Sequence, residues 1–173
     1  MNLENLAKAL LFPGLNLHGR QRYRELPRSF DSAQPGEERL FLDAGCGNGM
    51  LSYQAWRKGN RVIGVSIKRE EVERAQRFFN TQKGIPEDRL SFRVHNLYQL
   101  EELGVVFDEI VCSEVLEHIV RDADVVRSFA KVLKPGGILN LCAPNADHPH
   151  HRGMKLDPQE QGGHVRPGLL VAL

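Results

Sequence analysis

The sequence predicts a doubly wound α/β fold: a mostly parallel open sheet with helices on both faces. Three observations predict it. Short apolar runs alternate with stretches of helical period between Arg39 and Ala143. Those runs are nearly continuous in Val, Ile, Leu and Phe, as strands covered on both sides are. The first run also leads directly into a glycine-rich turn, Asp43-Ala-Gly-Cys-Gly-Asn-Gly49, which opens a helix-like stretch.

The elements follow in order. Residues 1–36 read as an N-terminal helical extension or lid, with Leu3, Leu6, Leu10 and Leu11 on one stripe. A basic stretch, His18, Arg20, Arg22, Arg24 and Arg28, follows and reads either as an anion grip or as a solvated face. Gln34-Pro35-Gly36 breaks the chain before the main domain, residues 37–173. Arg39–Asp43 is the first predicted strand. Asn48–Lys58 is a helix closed by Gly59, and Arg61–Val65 is the second strand. Lys68–Lys83 is a helix with Val72, Ala75 and Phe79 aligned, stopped by Gly84. Leu90–Val94 and Glu109–Ser113 are the third and fourth strands. Asp122–Leu133 is a helix with Val125, Phe129 and Val132 on one face, and Ile138–Ala143 is the fifth strand.

Bulk properties remove several classes. The 173 residues suit one domain with a sizeable core. Lys+Arg is 23 and Asp+Glu is 22, a net charge of +1, so no global charge draws the chain to nucleic acid. No apolar run approaches the roughly 18 residues of a membrane span, and no secretory pattern opens the chain. Cys46, Cys112 and Cys142 lack metal-ligand spacing and read as reduced thiols of a cytoplasmic protein.

The glycine spacing separates two nucleotide-site types. A dinucleotide fingerprint requires G-x-G-x-x-G, and Met50 holds the third glycine's place. The pattern is instead D-x-G-x-G-x-G, across Asp43, Gly45, Gly47 and Gly49. This resembles the first motif of class I S-adenosylmethionine (SAM)-dependent methyltransferases. Val132-Leu-Lys-Pro-Gly-Gly137 resembles the turn before that family's fifth strand, and Cys112-Ser-Glu-Val-Leu-Glu-His118 its ubiquinone-biosynthesis-type, small-molecule branch. The match covers roughly Arg39–Asn145. It implies a Rossmann-like methyltransferase fold with SAM as cofactor and S-adenosylhomocysteine (SAH) as product.

The resemblance also implies site residues. Gly45, Cys46, Gly47 and Gly49 let backbone approach the methionine part of SAM, and Asp43 orders the loop or meets the ligand's ammonium group. The ribose acid belongs about 20 residues past the first glycine, where this chain has Ser66, followed by Ile67. Ser66 either binds ribose or caps the next helix, and Lys68 or the extension then supplies further ribose contacts. Asn96 replaces the acid that holds the adenine amino group; its amide oxygen accepts that N–H or only forms a turn. Leu97 packs on adenine, and Ser113 and Glu114 face the cleft. If a helical turn starts there, Glu114 and His118 are i,i+4 neighbours, and the carboxylate makes His118 a better base toward a substrate hydroxyl. Alternatively, Glu114 orders the loop and His118 packs.

The tail holds Asp147, His148, His150, His151 and His164. These residues read as a polar lid in preference to a metal site, so no metal is assigned. The family sheet carries seven strands, the last two a hairpin. Only five are legible here, so the domain reads as C-terminally truncated relative to the family. The fifth strand then offers an open edge, where homodimerisation is one outcome. The reading is a SAM-dependent methyltransferase acting on a small molecule, by O-methylation. The alternative is a non-catalytic SAM- or SAH-binding protein or scaffold derived from one.

Overall fold

A computed structural model of the chain describes residues 22–143. It divides into two compact units, Met1–Phe30 and Asp31–Leu173. In the first, a helical stretch at 22–25 continues into a 3-10 turn, Leu26–Arg28, with Pro27 near its start. Glu25 accepts from both Arg24 and Arg28, so part of the basic stretch is neutralised within itself. The leucine stripe, His18, Arg20 and the tail from Asn145 onward, with its histidines, lie outside the described residues.

The second unit is a five-stranded, wholly parallel sheet in the order β3-β2-β1-β4-β5. Its strands are β1 (Leu40–Ala44), β2 (Arg61–Ser66), β3 (Leu90–Val94), β4 (Phe107–Ser113) and β5 (Leu133–Cys142). The helices are α1 (Met50–Arg57), α2 (Arg69–Gln76) and α3 (Asp122–Val132). The chain winds outward from β1 to β3, then crosses to β4. The strand order therefore reverses between β1 and β4, the place where open α/β sheets bind ligands.

Alternation along the strands covers both faces. Leu42, Ala44, Ile63, Val65, Ile110 and Cys112 join Leu100 and the predicted helix stripe Val125, Phe129 and Val132 in one core cluster. On the other face Gly64 lies against Ser52 of α1, Cys46 and Phe92. There Tyr53, Phe79 and Phe92 form a row with ring centroids 5.1 and 5.8 Å apart.

The N-terminal end of the sheet is tied by two neighbouring carboxylates. Asp108 accepts from Leu40 N–H at 2.7 Å and from Lys134 Nζ at 2.8 Å. Burial pushes its carboxyl up, but these bonds outweigh burial and hold it below the usual range. Glu109, 1% exposed, accepts from Asp31 N–H and Asn140 Nδ2, and for it burial prevails and raises the carboxyl.

Three elements differ from expectation. The helix expected over 68–83 is α-helical only to Gln76, then widens into a π-helical segment, Arg77–Gln82. Asn80 Nδ2 there donates to the carbonyls of Ile85 and Leu90, tying the segment to the start of β3. β5 begins at Leu133, not Ile138, because Leu133 already pairs with Phe107. The pairing then jumps to Glu109↔Ile138, so the Lys-Pro-Gly-Gly turn bulges out within the strand, with Gly136 at φ 76°. The second unit also begins at Asp31, ahead of the Pro35-Gly36 break, since Ala33 N–H bonds to Lys58 O. No described helix is long and apolar enough to cross a membrane.

Candidate active site

The glycine turn leaves β1 at its C-terminal end, next to the reversal of strand order. Asp43 is 2% exposed, and its Oδ2 accepts from Ser52 N–H at 2.9 Å and Ser52 Oγ at 2.6 Å. Its carboxylate thus ties the end of β1 to α1, the loop-ordering role of its two expected roles. Gly45 and Cys46 both donate their N–H to Val65 O, at 2.9 and 2.8 Å, which fastens the turn to β2.

The glycines are needed for different reasons. All have positive φ: 83° at Gly45, 51° at Gly47 and 77° at Gly49. A Cβ on Gly45 would overlap the Val115 side chain, and one on Gly49 would stand 2.7 Å from Phe92. Those two are glycine because protein packs against them. Around Gly47 a Cβ would meet nothing within 4 Å among the described residues. Gly47 is the part of the loop that faces open space, as a cradle for a ligand must. Cys46 is buried; burial foremost, then the charge of Asp43, pushes its thiol well up, so it is a packing residue and not a nucleophile.

At the end of β2, Ser66 is 5% exposed; its Oγ donates to Glu71 Oε2 at 2.7 Å and accepts from Lys68 N–H at 3.1 Å. Ser66 thus closes a turn just ahead of α2, whose N-cap is Lys68 with no side-chain cap bond, and it has a partner, Glu71, that the sequence reading missed. Lys68 Nζ also stands 3.6 Å from Glu71 Oε1. An acid in the first turn after a strand-ending serine is the signal that could have found Glu71. Ile67 is 67% exposed, and Val94, at the end of β3, is 40% exposed. Ser66 pairs in register with Val94, so these two apolar side chains belong to adjacent strand ends. Asn96 Oδ1 accepts from Tyr98 N–H at 3.1 Å and caps the turn Leu97–Leu103, while Leu97 is drawn into the core cluster.

At the end of β4 the expected pairing of Glu114 with His118 is not formed. Glu114 has φ 56°, outside the right-handed helical region, and the short helical turn starts only at Leu116. The two residues are therefore not stacked at helical spacing. Glu114 N–H donates to Cys142 O at 2.8 Å, and its Oε1 lies 4.0 Å from Cys142 Sγ, so it is turned toward the end of β5. His118, 62% exposed in its side chain, has Nε2 4.0 Å from Glu117 Oε1 instead. Ser113 Oγ is buried without a hydrogen-bond partner among the described residues. Among the same residues no His, Cys, Asp and Glu group is arranged to hold a metal.

The geometry provides a glycine turn fastened to β2, exposed apolar side chains, Ile67 and Val94, at the adjacent ends of β2 and β3, and polar groups at the ends of β2 and β4. Comparisons with known proteins bear on the family. Residues 37–165 match the family model described as "Methyltransferase domain". The chain is 34% identical over 124 residues to the human mitochondrial ubiquinone biosynthesis O-methyltransferase, covering 69% of this chain and 33% of that protein. It is 38% identical over 96 residues to the ubiquinone biosynthesis O-methyltransferase of Proteus mirabilis, covering 56% and 38%. It thus spans about a third to just under half of the length of such relatives. Among solved structures it is similar to the magnesium protoporphyrin IX methyltransferase of Synechocystis PCC 6803 with bound SAM. That match has TM-score 0.52 and 27% identity, over 60% of this chain and 48% of that one. The fold is also that of the N-methyltransferase NodS of Bradyrhizobium japonicum in complex with SAH, with TM-score 0.60 and 21% identity, over 73% and 62%. The chain belongs to the methyltransferase-domain family.

Proposed function

We propose that the chain binds SAM at the C-terminal ends of β1, β2 and β3, and that the protein methylates a hydroxyl of a small molecule. The observation that carries the reading is the glycine turn, filled by Val115 and Phe92 at Gly45 and Gly49 but open at Gly47. An open backbone step between two packed ones is a fixed cradle for the amino-acid part of a nucleoside ligand. The exposed apolar side chains of Ile67 and Val94 suit an adenine ring. Leu97 packs in the core cluster instead. Asn96 holds the turn and keeps spare acceptor capacity for the adenine amino group. Ser113 Oγ, buried and unpartnered, is a group waiting for a ligand atom.

When bound, SAM supplies an electrophilic sulfonium methyl group. The chain's own work is to hold the acceptor oxygen in line with that methyl and to keep water out, which supplies most of the rate in such transfers. His118, exposed in the turn after β4, takes the hydroxyl proton, assisted by Glu117 rather than by Glu114. Glu114 positions the end of β4 against β5. The oxygen acceptor is supported by the O-methyltransferase names of the similar proteins. Thiols buried as Cys46 and Cys112 are, with burial raising both, suit the reducing cytoplasm.

The test is incubation of the chain with methyl-labelled SAM and a panel of phenols and catechols. Label in an ether product is the expected result. SAH binding without transfer to any acceptor would move the non-catalytic alternative ahead.

A further inference from the structure

We infer that Glu71, in the first turn of α2, is the carboxylate that receives the ribose hydroxyls of the bound nucleoside. The inference rests on the SAM reading and deepens it. Open α/β nucleotide sites take ribose on an acid that follows the second strand, because paired hydroxyls need a strong, fixed acceptor. Here the strand-end place holds Ser66, a neutral residue whose hydroxyl is buried at 5% exposure. The charge is not missing from the place, however. Ser66 Oγ donates to Glu71 Oε2 at 2.7 Å, so the serine holds a carboxylate at the strand end from the neighbouring helix. Lys68 Nζ stands 3.6 Å from the other oxygen.

One further observation leaves Glu71 open to a ligand: its side chain is 30% exposed. A carboxylate has about four acceptor sites, and Ser66 and Lys68 leave room for a pair of hydroxyls. Glu71 also occupies the third helical position, where an acid stabilises a helix start. That role alone would affect melting temperature and would be indifferent to the sugar.

The experiment is calorimetric titration of the chain, and of Glu71→Gln and Glu71→Ala, with SAH and with its 2′,3′-dideoxy analogue. The unsubstituted chain is expected to bind SAH about tenfold or more tightly than the analogue. Glu71→Ala is expected to bind the two alike, with affinity for the analogue unchanged. The isosteric Glu71→Gln, which folds without a new cavity, is expected to discriminate to an intermediate degree. Full discrimination retained in Glu71→Ala would overturn the inference, as would an equal loss for both ligands. Failure of the unsubstituted chain to bind either ligand would overturn the cofactor reading itself.

Discussion

The ends of β1 and β4 lie side by side in the sheet and are built in opposite ways. At the end of β1, Asp43 is buried on Ser52, the turn is fastened to Val65, and two of three glycines are packed by neighbours. At the end of β4, Glu114 sits in a left-handed conformation that costs a non-glycine residue roughly 1–2 kcal/mol, and His118 stands in solvent. Under the proposed function, the first end is a preformed mould for the cofactor, and the second, strained and exposed, meets the variable acceptor.

Substitutions break the comparison in proportion to packing. Gly45→Ala combines a left-handed alanine with overlap against Val115, and should cost about 3 kcal/mol of stability along with SAH binding. Thermal unfolding and titration check both. His118→Ala should instead leave SAH affinity unchanged and lower turnover on a hydroxyl substrate by about 10²-fold. Unchanged turnover with saturating SAM would remove His118 as the base. Asp43→Ala strands two donors of Ser52 and should cost about 2 kcal/mol, read from denaturant midpoints. Glu114→Gly should raise stability by up to about 1 kcal/mol, read from thermal unfolding, while slowing methyl transfer. A variant both less stable and fully active would show that Glu114 is structural only.

The smallest effect concerns the far end of the sheet, where Asp108 and Glu109 carry opposite pH signatures. Asp108 is held below its unfolded value, so its stabilisation is present above that value and is lost as pH falls through the folded one. Glu109 is held above its unfolded value. Its contribution is therefore full at acid pH and is lost as pH rises through the folded value. Carboxyl NMR titration should place the two on opposite sides of the ordinary range. Asp108→Asn should flatten only the acid limb of the stability curve.

The mould was legible in the sequence, and the variable end was not, for physical reasons. Alternating glycines after an apolar run admit few backbones, so Asp43 to Gly49 could be placed without a structure. The helix stripe Val125, Phe129 and Val132 has a single period and appears as expected in the core. Glu114 carries no mark of its left-handed backbone, because a glutamate at that place reads as helical, and the i,i+4 pairing with His118 followed from that assumption. The π-helical turn depends on Asn80 reaching carbonyls of a strand that sequence periodicity does not connect to it. Glu71 was passed over because the acid was sought on the strand, and only the fold brings the first turn of α2 to the same point.

The central claim is that the cradle at Gly47 takes SAM and not a dinucleotide. It is tested most directly by calorimetric titration of the chain with SAH, with NAD as the control. Micromolar binding of SAH with no heat from NAD is the predicted result. Binding of NAD, or of neither ligand by a folded chain, would contradict it.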